Sequence, residues 1–312
     1  MDKTYINQLK GICSVLVTPL KEDETLDKEG FSRLITYQRE NNLDSIFVCG
    51  ASGEGPALSN DIRADALSIA LDNFIDKPVI IGVFESGTKK AAETIKGLLP
   101  VIKEKDRKDV VFMVAPPIYF SPSHNETEIL DFYRSIGSIG FPIMIYSNTK
   151  YTGLALTLKQ IETLSKEKNI IGIKFTKEPM DILEDLVKLK NTRDKDFVIG
   201  FAKNDLVKAF ELGVDMLINT MAGLIPKTFS NLYLCFKEGD TEKARLLEKE
   251  INSFGKVYNL GPGFIASAKT ASSIIVNCDD YMSKPFQRTS IKQRIDIKSF
   301  IDNTRLTYPI FQ

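Results

Sequence analysis

Ile170-Ile171-Gly172-Ile173-Lys174-Phe175-Thr176 is a run of branched and aromatic apolar residues with one lysine near its carboxyl end. It reads as a short β-strand. Strands alternate their faces, so the expectation is that Ile171, Ile173 and Phe175 point one way while Gly172, Lys174 and Thr176 point the other. A strand this apolar is expected to be covered on both faces, which sends Lys174 into the protein interior. Desolvation there lowers an amine's pKa, and a neutral amine is the nucleophile of Schiff-base chemistry. The plainer reading of the same strand is a terminal lysine whose stem lies on the core while its head reaches water.

Seven further strand-like runs flank this one: 11–18, 45–50, 78–83, 110–115, 142–147, 197–201 and 216–220. The first five strands begin about 32 residues apart, the length of one βα unit. Amphipathic segments lie between them, marked by Phe31, Leu34 and Ile35, by Leu67, Ala70, Leu71 and Phe74, by Ile129, Leu130, Phe132 and Tyr133, and by Leu158, Ile161 and Leu164. Ser59-Asn60-Asp61 and Thr157 supply helix starts. Eight strand–helix alternations predict an α/β fold, a closed parallel (β/α)8 TIM barrel. An open doubly-wound sheet is the rival, but no GxGxxG or P-loop follows the first run. Three more helical stretches (242–254, 264–276 and 291–301) follow the eighth unit. The expected organisation is a barrel core at 1–225, then a last barrel helix and C-terminal helical extension at 226–312, one domain overall.

The 41 acidic and 41 basic residues balance, which argues against nucleic acid or an anionic membrane as partner. Apolar runs are short, so no membrane span is expected, and Met1-Asp2-Lys3-Thr4 lacks the apolar core of a secretory signal. Cys13, Cys49, Cys235 and Cys278 form no CxxC pair and read as buried thiols of a cytoplasmic protein. A single histidine, His124, cannot assemble the two or three imidazole ligands that metal-dependent aldolases and hydrolases use. It sits in Pro122-Ser123-His124-Asn125, a helix-capping turn, and is expected at the surface.

Catalytic groups of such barrels lie at the carboxyl ends of strands and in the following loops. Tyr146 ends the fifth run on the same face as Met144. If that face is inward, its phenol lies within reach of the Lys174 amine and can shuttle protons; otherwise it is a core tyrosine. The second run leads into Cys49-Gly50-Ala51-Ser52-Gly53-Glu54-Gly55, whose amides and Ser52 hydroxyl are suited to a carboxylate or oxyanion. Ala115-Pro116-Pro117-Ile118-Tyr119-Phe120-Ser121-Pro122 is a stiff aromatic loop suited to a site wall or a subunit contact.

In order and spacing these pieces resemble the pyruvate-dependent aldolase family that contains dihydrodipicolinate synthase and N-acetylneuraminate lyase. The resemblance spans Leu16-Val17-Thr18-Pro19-Leu20, Gly50-Ala51-Ser52-Gly53-Glu54 with Leu58-Ser59, and Gly82-Val83 before Thr88. It continues through Pro116-Pro117-Ile118-Tyr119, Ile145-Tyr146 with Thr152-Gly153, Gly172-Ile173-Lys174, and Gly213-Val214-Asp215 leading to Ile218. It implies a class I lyase in which Lys174 forms an imine with pyruvate and Tyr146 moves protons. The carboxylate would rest on the Ala51–Ser52 backbone and the Ser52 hydroxyl, with the Ile218 backbone framing the pyruvyl end and Thr220 compatible with binding a sugar tail. Tyr119 would reach a neighbouring subunit's site in a homodimer or homotetramer. Glu54 would brace its loop. Neither a cofactor nor a metal is implied; the other partner is an aldehyde or a 2-oxo acid.

Four departures bear on the substrate. Family turns carry two hydroxyl residues where this chain has Ala51-Ser52, so the proton relay that the first hydroxyl serves is expected to be broken or replaced by water. Ser147-Asn148-Thr149 replaces the usual Asn-x-Pro after the tyrosine. Tyr151 stands where synthases place an arginine for the semialdehyde carboxylate, and a phenol supplies no bidentate charge. Lys203-Asn204 stands where sialic acid lyases carry acids, suggesting an aldehyde with an anionic tail met by Lys203 or Lys150. The preferred reading is an aldolase of N-acetylneuraminate lyase-like or 2-keto-3-deoxy acid type. Dihydrodipicolinate synthase is the first alternative, and a non-catalytic 2-oxo-acid-binding protein is the second.

Overall fold

The computed structural model describes residues 4–304 except 177–179, 193–195 and 204. Eight strands close into one parallel barrel in chain order: β1 (Gly11–Val15), β2 (Ser45–Val48), β3 (Val79–Val83), β4 (Val110–Val114), β5 (Ile143–Asn148), β6 (Ile170–Thr176), β7 (Val198–Phe201) and β8 (Met216–Asn219). Closure comes from β8 pairing with β1, Gly11 beside Met216 through Ser14 beside Asn219. Strand residues are buried almost without exception because each strand has helices outside and side chains inside.

The helices are α1 (Lys28–Glu40), α2 (Asn60–Asn73), α3 (Thr88–Glu104), α4 (Glu126–Gly137), the single turn α5 (Thr149–Thr152), α6 (Leu158–Ser165), α7 (Met180–Asn191), α8 (Leu206–Leu212), α9 (Pro226–Lys237), α10 (Thr241–Phe254), α11 (Phe264–Val276) and α12 (Ile291–Asn303). Their starts are set by side-chain caps: Ser59 accepts from the Ile62 amide, and Thr157 and Asn125 form reciprocal capping boxes with Gln160 and Glu128. The stripe residues read from the sequence for α1, α2, α4 and α6 are turned inward, with one exception. Leu158, at the first turn of α6, is exposed rather than buried.

Two apolar layers result. The outer one joins Ile12, Ile46, Val48, Ile81, Ile145, Ile173 and Phe175 to the helices. The inner one fills the barrel with Cys13, Val15, Phe47, Met113, Met144, Tyr146, Ile171, Met216 and Ile218, and Ile6 and Leu9 of the N-terminal segment join it.

The expected alternation along β6 fails at its start. Ile171 lies in the inner layer, while Ile170, Ile173 and Phe175 lie in the outer one. The cause is a register shift against β5: Ile143 pairs with Ile170 but Met144 pairs with Gly172, so one residue is inserted. A β-bulge of this kind reverses the facing of everything before it. Beyond the bulge, Lys174 points inward as expected.

The C-terminal helices pack on the barrel's flank. The Arg33 guanidinium of α1 donates to the Val276 carbonyl at the end of α11 (3.1 Å). Lys269 of α11 reaches inward to Glu54 in the loop after β2.

Candidate active site

Lys174 sits near the carboxyl end of β6 with 6% exposure. Its Nζ lies 4.9 Å from the centroid of the Tyr146 ring and 5.2 Å from that of Phe47. No carboxylate among the described residues pairs with it. Burial lowers its pKa from 10.5 to about 8, with nearby Cys13 acting weakly the other way. The same burial pushes the Cys13 thiol up to about 12.

Tyr146 is the register partner of Lys174 on β5. Its ring is 2% exposed and packs edge-on against Phe84 at 4.9 Å and Tyr151 at 6.1 Å. Asn148, two residues on and therefore on the same face, donates from Nδ2 to the phenol oxygen at 3.0 Å. Burial raises the Tyr146 pKa and the Asn148 bond lowers it. Beyond β5, Thr152 donates to the carbonyls of Asn148 and Leu154, both at 3.1 Å, and Gly153 closes α5 with φ 70. That left-handed cap is the physical reason for the Thr152-Gly153 pair.

The loop after β2 is a tight turn. Gly53 and Gly55 both donate to the Gly50 carbonyl at 3.0 Å, and Glu54 donates to that of Ala51 at 3.2 Å. Cys49 and Glu54 are non-glycine residues in the left-handed region, with φ 50 and 58, a strain that surrounding contacts must hold. A Cβ on Gly82 of β3 would lie 2.2 Å from the Cys49 carbonyl oxygen, so only glycine permits the approach. Among the described residues no acceptor meets the amides of Ala51 and Ser52. The Ser52 hydroxyl accepts from Thr220 Oγ1 at 2.9 Å, tying this loop to the end of β8. Ala51 packs against the inner layer, which also holds Ile218. Glu54 is turned away from the amine: one oxygen binds Lys269 Nζ at 2.5 Å and the other accepts from the Ser283 amide at 2.7 Å.

The fold thus brings Lys174, Tyr146, Ala51, Ser52, Ile218 and Thr220 to one end of the barrel. Tyr119 is not brought in. Its ring is 65% exposed and packs on Phe120 at 4.8 Å, while its carbonyl bonds His124 Nε2 at 3.0 Å. His124 therefore braces the aromatic loop and bridges to Glu128. Of the groups considered for an anionic tail, Lys150 is exposed, Lys203 is half-buried, and Asn204 lies outside the described residues.

Several neighbours escaped the sequence reading. Glu85, after β3, is held by Arg63 and Thr94, and Arg63 also donates to the Gly55 carbonyl at 2.9 Å, linking the loops after β2 and β3. Glu85 and Tyr146 help burial push the Tyr151 hydroxyl up to about 12. Asn148 was legible in one respect: alternation from Tyr146 puts it on the inner face.

A parallel eight-stranded barrel with a desolvated lysine beside a tyrosine at its carboxyl end defines the class I aldolase arrangement. The Dihydrodipicolinate synthetase family model matches residues 8–304, and the chain belongs to that family. At the level of the family it is a lyase that makes or breaks carbon–carbon bonds with pyruvate. A 4-hydroxy-tetrahydrodipicolinate synthase of Methanococcoides burtonii is 28% identical over 244 residues, 78% of this chain and 80% of that one. YagE, a prophage protein of E. coli K12 in the dihydrodipicolinic acid synthase family, was solved in complex with pyruvate. It superposes with a TM-score of 0.85 at 23% identity, covering 96% of this chain and 99% of its own. The Ruminococcus gnavus sialic acid aldolase superposes with a TM-score of 0.82 at 19% identity, over 95% and 98% of the two chains. Identities this low establish the fold alone.

Proposed function

We propose that the chain is a class I aldolase whose imine forms on Lys174, with pyruvate as one half and an aldehyde as the other. The observation that carries this is an amine buried without a carboxylate partner, directly beside Tyr146 in the sheet register. The neutral amine adds to the keto carbon of pyruvate, and Tyr146 gives a proton to the departing hydroxyl, which leaves as water. Loss of a C3 proton yields the enamine that attacks the aldehyde, and hydrolysis returns Lys174. Ala51 and Ser52 offer unengaged amides to the carboxylate, and the Ser52 hydroxyl joins them. The Ile218 backbone frames the pyruvyl end, and Thr220 donates to the Ser52 hydroxyl beside it.

Tyr151 brings no positive charge to the aldehyde side, and the Arg63 guanidinium nearby is already taken by Glu85. Both features favour an uncharged, sugar-like aldehyde, the other half of a 2-oxo sugar acid, over aspartate semialdehyde. The second reading, dihydrodipicolinate synthase, is favoured by the synthase relatives. A panel of aldehydes offered with pyruvate, and of 2-oxo sugar acids offered for cleavage, decides between them. Turnover of aspartate semialdehyde at micromolar Michaelis constant would select the second.

Exposed Ile118, Tyr119 and Phe120 form an apolar stretch suited to a subunit contact, which supports a homodimer or homotetramer. Four buried free thiols support a reducing compartment, the cytoplasm. No described helix is long and apolar enough to cross a membrane.

A further inference from the structure

We propose that Asn148 is a positioning residue for the proton transfers of Tyr146, holding the phenol oxygen through its side-chain amide. The inference rests on the aldolase reading. Asn148 ends β5 one inward position beyond Tyr146, and its Nδ2 donates to the phenol oxygen at 3.0 Å. The neighbouring inward-facing side chains offer no substitute: position 51 is a methyl group packed on the same inner layer, and Phe84 meets Tyr146 edge-on. The other end of the amide, Oδ1, is buried and has no partner among the described residues, as is Thr176 Oγ1 on the register partner of Asn148.

The chemistry follows from which way the bond runs. With Asn148 donating, the phenol's own proton is directed away from the amide and is available to the reacting atoms. When the carbinolamine C–O bond breaks, that proton leaves with the hydroxyl as water, and an iminium and a phenolate remain. The phenolate's charge then sits against the Asn148 N–H. It next takes the C3 proton of the iminium, which gives the enamine and restores the phenol. Asn148 thus favours the phenolate, in line with its lowering of the Tyr146 pKa against burial. The titratable groups facing this phenol are Lys174 and, through it, Cys13 from inside the barrel, with Tyr151 from α5 and Glu85 from the loop after β3.

The test places 3-fluorotyrosine at position 146 and follows its ionisation by ¹⁹F NMR in the full-length protein, with Asn148, with Asn148→Leu and with Asn148→Asp. Both variants lack the donor, and aspartate keeps the shape. The midpoint is expected to rise in both, more in Asn148→Asp, where a like charge is added. Loosened packing would hydrate the ring and lower the midpoint, so an unchanged or lowered value overturns the proposal. In parallel, pyruvate imine formation trapped by borohydride should slow about tenfold in Asn148→Leu, the worth of one hydrogen bond. An unchanged rate also overturns it. If the native protein gives no adduct on Lys174, the aldolase reading fails separately, and the titration still decides what Asn148 does.

Discussion

An ammonium lined by the rings of Phe47 and Tyr146, with no carboxylate to answer it, gives up its proton more readily than one in water. Pyruvate imine formation should therefore rise with pH through about 8, where Lys174 loses its proton. Stability carries the same signature. The unfolded amine titrates near 10.5 and the folded one near 8, so between these values the unfolded chain holds the extra proton. Stability climbs with pH across that window, and the full cost is present below it. Lys174→Met should abolish imine formation and yet raise the melting temperature at pH 7. The gain, at most roughly 3–4 kcal/mol, should vanish as pH approaches 10.5, which paired thermal melts would read. Tyr146→Phe keeps the packing and removes the proton, and should slow turnover by roughly 10²–10³-fold; unchanged turnover would make Tyr146 a packing residue.

At the scale of elements, sequence patterning was enough for the strands, the caps and the three extra helices, because each is specified locally. Two features were not legible, for different reasons. The β-bulge at the start of β6 depends on how Met144 and Gly172 meet across strands, and a run of isoleucines looks the same on either face. The brace on Glu54 spans 215 residues to Lys269, both side chains essentially buried, and no local pattern announces such a partner. Burial lowers the Lys269 pKa while Glu54 opposes that shift. Removing one member of such a pair leaves an unanswered buried charge, so Lys269→Met should cost about 3–5 kcal/mol. The double variant Glu54→Gln with Lys269→Met should recover part of it. Denaturant melts with a double-mutant cycle measure this, and additive losses would show that the two residues are not coupled. Asn148 belongs between these cases, since its face was legible and its bond to Tyr146 was not.

Across the whole molecule, the barrel gathers residues from the ends of β2, β5, β6 and β8 at one mouth, while Tyr119, in the loop after β4, is exposed. A site completed by a second copy is the expected consequence. Light scattering should give a dimer or larger, and Tyr119→Asp should dissociate it or depress turnover. A monomer of full activity would remove Tyr119 from the mechanism. The whole account depends on a covalent bond between Lys174 and pyruvate. Incubation with pyruvate and borohydride, followed by peptide mass spectrometry, should find a single reduced pyruvyl adduct, on Lys174, formed faster as pH rises through about 8. An adduct on another lysine, or a protein left unmodified while pyruvate is bound, would contradict it.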